Sequence, residues 1–274
     1  MQVKIAQHGF GTIIWDGVYY FVLSDYPHIT PWELKKLLYF MDYEKKHGRA
    51  ADILCEDGAI LTAVNHALSY PETMENALPP TRITECTYCN QKGCLAQFVC
   101  HTASPENAKR ILKTGKLLSA VKAFGKSADS LVLDSRNAAG DPADYFDYVM
   151  FAWGNCTAGD NLVMERKLGR GPTADELENG LTPGVRFYFR YNDIVSHPGY
   201  IFDGYHPAKV KDELELLDYL YACIIPAQYK DEFEDLIDAN IMKKIYFLPH
   251  NGLGIRDWAG RAHEFIKGLG GEQA

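Results

Sequence analysis

The sequence predicts an α+β protein that has a small N-terminal α/β region and a larger domain. Two observations lead to this prediction. Short apolar stretches of strand length, such as residues 96–103 and 185–191, are interspersed with segments that carry helix start and stop signals. The chain of 274 residues is 47% hydrophobic and 23% charged, which is typical of a globular protein. This length suits one large domain, or a medium one with an appendage.

The N-terminal part predicts a β-hairpin followed by a helix. Residues 10–23 contain two short apolar segments around an Asp-Gly dipeptide, which is typical of tight turns. Thr30 is a candidate N-cap, Pro31 takes the first helical position and Glu33 completes a capping box. We expect this helix to end at Gly48. Another Asp-Gly turn follows it.

A linker is predicted next, because residues 71–85 contain three prolines and few bulky side chains. We therefore divide the chain into an N-terminal region, residues 1–90, and an α+β domain, residues 91–274.

The larger domain is predicted to begin with the strand AQFVCHTA at 96–103. Ser104 and Pro105 then open a helix that Gly115 stops. The polar residues 125–147 predict a long loop. The later elements are a strand at 185–191, a glutamate-bearing strand at 212–226, a helix at about 227–240, a strand at 244–249 and a helix near 256–268.

The glutamate-bearing strand, DELELLDYLYACIIP, raises a question of charge. Glu213 and Glu215 are two residues apart, so on a strand both carboxylates project from one side at the mouth of a mostly buried segment. A solvated strand end is one interpretation, since glutamate is mostly exposed. A pair of carboxylates facing a cationic reaction centre is the other.

Composition and motifs exclude several classes. The net charge of −8 disfavours sequence-independent binding of nucleic acid, which depends on Lys and Arg. No apolar run reaches the ~18 residues of a membrane span, and the first ten residues do not resemble a secretory peptide, so we expect a cytoplasmic protein with reduced thiols and no membrane partner. Neither HGFG nor LGRG fits a nucleotide-binding loop, which disfavours kinases and Rossmann dehydrogenases. The absence of G-x-S-x-G disfavours an α/β-hydrolase.

The segment CTYCNQKGC brings Cys86, Cys89 and Cys94 within nine residues. Thiolates spaced C-x2-C can bind one Zn²⁺ from a short loop. The fourth ligand stays open among Cys55, Cys100 and His66. Two interpretations of the cluster stay open: the cysteines bind a structural Zn²⁺, or they are three free thiols.

The segment FVCHTASPENAKRILKTGKLLS, residues 98–119, places a His-Thr strand before a proline-opened helix and a Gly-x-Leu-Leu-Ser sequence. This arrangement resembles the first strand and helix of the ADP-ribosyltransferase superfamily, in the branch with a His–Tyr–Glu triad that includes DarT-type toxins and RNA 2′-phosphotransferases. The resemblance extends over about residues 97–250, because an aromatic strand and a glutamate strand follow in the family's order. It implies a split, mixed or antiparallel β core with flanking helices.

The resemblance also implies roles for individual residues. His101 and Thr102 would bind NAD⁺, and Tyr188 would stack on nicotinamide, with Tyr191 and Tyr200 as rivals. Glu215 would be the catalytic glutamate, and Glu213 the acceptor-side residue of an E-x-E signature. Toxins with that signature usually carry Ser-Thr-Ser on the central strand, where this chain has Phe-Tyr-Phe; this favours the His–Tyr–Glu assignment. The cations offered for the pyrophosphate are Arg186, Arg190 and Lys209.

These residue types suit the chemistry, because loss of nicotinamide leaves a cationic ribose that a nearby carboxylate can stabilise. The sequence therefore predicts an NAD⁺-dependent ADP-ribosyltransferase, such as a toxin or conflict-system effector. Its acceptor stays open among protein, nucleic acid and a small molecule. The alternatives are an NAD⁺ glycohydrolase or an RNA 2′-phosphotransferase-like enzyme, and a non-catalytic, zinc-stabilised binding module.

Overall fold

The computed structural model describes residues 1–9, 13, 15, 17–74, 97–133 and 141–271. In these residues an α+β architecture is present, which confirms the predicted fold class. A three-stranded sheet lies in the N-terminal region, and a seven-stranded sheet and a two-stranded ribbon lie in the larger part of the chain.

The N-terminal sheet is parallel. It consists of β1 (Gln2–Ala6), β2 (Val18–Val22) and β3 (Asp52–Cys55), in the order β2-β1-β3. The sequence prediction omitted β1. Strand β2 is the second strand of the predicted hairpin, but its neighbour is β1 and the pairing is parallel, so a hairpin turn does not join the two. The hairpin's first strand falls mostly outside the described residues.

Helices α1 (Pro31–Lys46) and α2 (Gly58–Ser69) pack on this sheet. The capping box of α1 is confirmed: the Glu33 backbone N–H donates to Thr30 Oγ1 at 3.2 Å, and the Thr30 N–H donates to Glu33 Oε2 at 2.9 Å. The helix ends one residue before the cap His47, and Gly48 follows with φ of 71°. The core of the N-terminal region is therefore built by β1, β2, α1 and α2.

The remaining strands are β4 (Phe98–Ala103), β5 (Lys116–Leu118), β6 (Tyr148–Trp153), β7 (Val185–Arg190), β8 (Tyr200–Ile201), β9 (Ala208–Lys211), β10 (Glu213–Glu215), β11 (Leu220–Pro226) and β12 (Ile245–Leu248). The remaining α-helices are α3 (Pro105–Thr114), α4 (Ala120–Phe124), α5 (Ala128–Val132), α6 (Ala158–Leu168), α7 (Ala174–Asn179), α8 (Tyr191–Val195), α9 (Leu216–Tyr219), α10 (Lys230–Phe233) and α11 (Ile255–Gly271).

The seven-stranded sheet has the order β12-β11-β7-β4-β6-β9-β8. Its pairs are antiparallel except for the parallel pair of β11 and β12. Strands β5 and β10 pair separately, in an antiparallel ribbon that we name the acidic ribbon because it carries Glu213 and Glu215. Helix α3 lies between β4 and this ribbon in the chain.

Both faces of the seven-stranded sheet are covered. On one face, α3, the acidic ribbon and α9 pack on apolar residues of β4 and β7, among them Val99 and Phe187. On the opposite face, α11 packs on Phe98, Cys100 and Tyr188. We name these the His101 face and the Tyr188 face, because cross-strand partners share a face and the register pairs His101 with Phe187, and Tyr188 with Cys100.

Three predictions of elements are corrected. The segment 212–226 is not one strand, because α9 separates β10 from β11. The helix predicted at 227–240 is a run of short helical turns around α10. The loop predicted at 125–147 contains α5 and a 3₁₀ turn at 143–147, and residues 134–140 lie outside the described part.

The predicted linker and the boundary near residue 90 fall largely in residues 75–96, outside the described ranges, so the division into 1–90 and 91–274 stays a prediction. Within those ranges, no helix combines the length and apolarity that a membrane crossing requires.

Candidate functional site

His101 lies on β4, and the strand, helix and glycine predicted around it are confirmed. Ser104 caps α3, Pro105 begins it, and Gly115 ends it with φ of 70°. The half-buried imidazole places Nδ1 3.1 Å from the Met150 carbonyl oxygen on β6. A carbonyl only accepts, so Nδ1 carries the proton and Nε2 is left as an acceptor. Burial lowers the pKa of His101, which keeps the ring neutral.

Thr102 projects from the opposite face of β4. Its side chain packs against two glycine backbones, since a Cβ on Gly159 or Gly184 would come within 2.5 and 2.6 Å of it. These positions therefore require glycine for the close approach of α6 and the 184 turn to β4. The side chain of Thr102 fits a packing role.

Arg186 and Tyr188 do not line an open surface. The prediction placed them on a polar face of β7, but each has 0% exposed area. The reason is that α11 covers this face, and the hydroxyl of Tyr188 accepts from Arg186 Nη1 at 3.3 Å. An aromatic platform for nicotinamide and a cation for pyrophosphate both need access, which neither side chain has in this structure.

A buried ion pair explains why Arg186 can lie inside the protein. Its Nε donates to Asp160 Oδ2 at 3.0 Å, and Nη2 donates to the same oxygen and to the Cys156 carbonyl, at 2.9 Å for the latter. Nη1 reaches the Gly154 carbonyl at 3.3 Å. The Gly184 N–H donates to the other oxygen of Asp160 at 2.9 Å. The guanidinium is thereby fully paired, as a buried charge requires.

Arg190 is the exposed member of the predicted polar set. Its guanidinium carbon lies 4.9 Å from the ring centroid of Tyr221, in a cation–π arrangement. It lies on the Tyr188 face, away from His101. Lys209, the third cation offered for pyrophosphate, has 0% exposed area and lies 3.1 Å from Asp203, so it too lacks access in this structure.

Glu213 and Glu215 lie on the acidic ribbon, and their carboxylates are paired with lysines. Lys116 Nζ is 2.9 Å from Glu213 and 2.6 Å from Glu215, and Lys122 Nζ is 2.9 Å from Glu213. The two acids raise the pKa of Lys116 to about 12, and the two lysines lower the pKa of Glu213. The interpretation that the pair stands at the mouth of a buried strand is wrong, because α9 intervenes before β11.

The structure brings His101 and the acidic ribbon to one face of the sheet. Leu117 and Leu214 of the ribbon share a core with the residues beside His101, and Glu213 and Glu215, which alternate with Leu214, project from the other side of the ribbon. The ribbon contacts β6, whose Met150 carbonyl binds the imidazole, and the Asp212 N–H donates to the Asp147 carbonyl at 2.9 Å just before β6. Tyr188 projects from the other face, so the predicted triad does not assemble with this tyrosine.

The rival tyrosines lie on the His101 face of the sheet. Tyr191 is buried within the core of the His101 face, and Tyr200 packs partly buried against it. Trp153 of β6, which the sequence analysis did not single out, lies beside them with its ring centroid 5.2 Å from that of Tyr191. The signal for β6 was present in YVMFAW, an apolar run of strand length.

The cysteine cluster lies outside the described residues. Cys86, Cys89 and Cys94 fall in residues 75–96, and the zinc site stays a prediction. Of the fourth-ligand candidates, Cys100 is buried in β4 and Cys55 is half-buried in β3. Across the described chain, no three His, Cys, Asp or Glu side chains group closely enough to hold a metal ion.

Two cavities lie against the N-terminal region, and neither is lined by His101, Tyr188 or the acidic ribbon. The larger, of about 830 Å³, runs along one side of α1, from Lys35 to Arg49. Pocket size alone would place a ligand there rather than beside His101. The chemistry expected of a dinucleotide site and the larger of these two cavities are therefore in different places.

Comparison with known proteins gives no match: no family model, no curated protein and no solved structure is similar enough to this chain to assign it to a family.

Proposed function

We propose that the protein is an NAD⁺-dependent ADP-ribosyltransferase whose site combines His101 with the carboxylates of the acidic ribbon. One observation supports this most. The chain leaves His101, passes through α3 and returns as β5 to pair with the glutamate strand, so that Glu215 lies opposite Lys116. The Leu216 N–H donates to the Gly115 carbonyl at 2.8 Å and ties the glutamate strand to the end of α3. His101 and Glu215, the first and last members of the predicted triad, thus belong to one connected substructure.

His101 has a defined role in this proposal. Its neutral ring offers Nε2 as an acceptor for a ribose hydroxyl, while the Met150 carbonyl holds its orientation. Glu215 stabilises the cationic ribose as the nicotinamide bond breaks. Because Lys116 neutralises this carboxylate, substrate binding must first draw the ammonium away. The phosphate groups of NAD⁺ are suitable partners for Lys116 and for Lys122.

The aromatic role passes from Tyr188 to Tyr200 and Trp153, since these partly buried rings lie on the same face as His101, whereas Tyr191 is buried. The acceptor of ADP-ribose remains open among protein, nucleic acid and small molecules. Hydrolysis of NAD⁺ is the variant of this proposal in which water is the acceptor. The RNA 2′-phosphotransferase alternative needs several free cations, whereas Arg186 and Lys209 are buried.

A non-catalytic binding module is the second candidate, and a specific observation favours it. Both glutamates of the acidic ribbon are already ion-paired, and the predicted aromatic platform Tyr188 is enclosed. In this resting arrangement the Glu215 carboxylate is free to stabilise a cationic ribose only if Lys116 moves away from it.

The experiment measures nicotinamide release from NAD⁺ and transfer of label from radioactive NAD⁺ to cell lysate. The matched variants are Glu215→Gln on the ribbon and Glu234→Gln, which breaks another solvent-exposed pair, with Lys230 at 3.2 Å. We expect Glu215→Gln to lower release at least about a hundredfold, the range for loss of a charge that acts in the transition state, and Glu234→Gln to leave it unchanged.

Release without labelled acceptor supports the hydrolase variant. If the folded wild-type protein neither releases nicotinamide nor binds NAD⁺, the proposal fails and the binding module takes its place.

A further inference from the structure

The smaller cavity, of about 290 Å³, lies between the end of β2 and the first two turns of α1. Three aromatic side chains are among its lining residues: Trp32 is half-buried, and Tyr19 and Phe21 belong to the core of the N-terminal region. The Trp32 ring stacks on Phe202, with centroids 6.1 Å apart and planes at 20°, which fixes that wall. The cavity opens at the carboxyl end of a parallel strand, the place where open α/β sheets bind ligands.

Lys36 supplies the cavity's cation, and its ammonium lacks an acidic partner. Its Nζ lies 5.7 Å from the Phe21 ring centroid. Within the part of the chain that the structure describes, no carboxylate comes within 4.0 Å of it. Desolvation lowers the pKa of Lys36 while the charges of Glu33 and Asp203 oppose the change. An ammonium in such surroundings is stabilised by an anion that enters the cavity.

The two acids whose charges act on Lys36, Glu33 and Asp203, are committed to other groups. Glu33 Oε1 accepts two hydrogen bonds from Ser24, and Oε2 accepts two from Thr30; in each case the donors are the backbone N–H and the side-chain hydroxyl. Asp203 accepts from the backbone N–H groups of Tyr205 and His206 and lies 3.1 Å from Lys209 Nζ. Neither carboxylate is free to turn toward Lys36 without breaking these bonds.

We propose that this cavity binds a small planar aromatic carboxylate, whose ring lies against Trp32 and whose carboxylate pairs with Lys36. A volume of about 290 Å³ is at the lower limit for ligand sites and is too small for a dinucleotide. The aromatic walls select a flat ring, and the unpaired ammonium selects a negative charge. This site is separate from the His101 face, and it does not depend on the function proposed above.

The test uses benzoate and benzamide, which have nearly the same shape and differ in charge. Calorimetric titration of the full chain at pH 7 measures the Kd of each. We expect benzoate to bind at least about tenfold more tightly than benzamide, the least that a charge-assisted hydrogen bond contributes. Lys36→Met should weaken benzoate binding at least about tenfold, while Lys36→Arg keeps it within about threefold. Lys45→Met, on the same helix but beside the larger cavity, should leave it unchanged.

Equal affinity of the two probes, or full benzoate affinity in folded Lys36→Met, overturns the proposal. Failure of benzoate to bind the folded wild-type chain at millimolar concentration also overturns it. If Lys36→Met does not fold, the two probes and Lys36→Arg still decide the question, since neither requires loss of the charge.

Discussion

The two faces of the seven-stranded sheet hold ion pairs of opposite character. On the Tyr188 face, Arg186 and Asp160 are both fully buried and their polar atoms are satisfied by each other and by the backbone. On the side of the His101 face, Glu213, Glu215, Lys116 and Lys122 form a network whose side chains keep 35 to 44% of their exposure. Both clusters contain the residue types of a catalytic site, so residue type alone does not distinguish them.

Solvent access distinguishes them. Removing one partner of a buried pair leaves an uncompensated charge inside the protein, whereas an exposed pair is replaced by water. The Arg186–Asp160 pair therefore contributes to folding, and its residues cannot meet a substrate without unpacking α11. The exposed ion pairs of the acidic ribbon contribute little to folding, and their groups can exchange partners when a ligand arrives.

The largest expected effect is on the buried pair. Asp160→Asn removes the charge that pairs with Arg186 and should lower the free energy of unfolding by about 3–5 kcal/mol. Denaturant titration measures it. Asp175→Asn, on the exposed helix α7, is the matched control and should stay within about 0.5 kcal/mol of wild type. An equally small change for Asp160→Asn would show that this pair is not structural.

A second effect sharpens the comparison through pH. His250 and His263 lie on the Tyr188 side, and burial lowers the pKa of each. Their folded pKa lies below the unfolded value of 6.5, so the unfolded chain takes up protons first as pH falls. The contribution of the two neutral rings to the free energy of unfolding is full above pH 6.5. Below that pH it is lost, by at most about 1.4 kcal/mol per pH unit for each ring.

Denaturant titrations at pH 7.5, 6.5 and 5.5 measure this loss. His101 and His197 have pKa values lowered by burial as well and add to it. Replacing both His250 and His263 by Gln should flatten the profile, whereas the exposed His28→Gln should not. A double variant with the wild-type slope would contradict the assignment.

Tyr188 gives a smaller effect and separates packing from catalysis. Tyr188→Phe removes the hydroxyl that accepts from Arg186 Nη1, while the ring stays in place and the Gly154 carbonyl remains as a partner. We expect a loss of about 0.5–1.5 kcal/mol in the free energy of unfolding and no change in nicotinamide release per folded molecule. A large loss of release without a loss of stability would restore Tyr188 to the site.

The same comparison shows which parts of the structure were predictable from sequence. Helices α1 and α3 were predicted with their caps, because Thr30 and Ser104 act through local hydrogen bonds that the sequence specifies. Strand β7 was predicted within one residue. The burial of the polar side chains of β7 was not predictable from its own sequence. Arg186 is enclosed by Asp160 and α11, which are distant from it in the chain.

The candidate site shows the same limit. Alternation along β4 and β7 assigns His101 and Tyr188 each to one face of its own strand. Whether these two faces lie on the same side of the sheet depends on the strand register, and the observed register pairs His101 with Phe187 rather than with Tyr188. Likewise, the spacing of Glu213 and Glu215 placed them on one side of a strand, but it did not reveal that β5 would supply Lys116 opposite them. Pairing between distant segments decides these points.

The smallest effect on stability is expected at the acidic ribbon, where the effect on function should be largest. Glu213→Gln and Glu215→Gln each remove one partner of Lys116 and should shift its pKa from about 12 back toward 10.5. Their unfolding curves should overlay that of wild type, because these side chains are exposed and water replaces the lost partner. Nicotinamide release should fall steeply for Glu215→Gln and less for Glu213→Gln. If either variant loses stability on the scale of Asp160→Asn, the ribbon is a structural clamp, and the contrast between the two faces of the sheet does not hold.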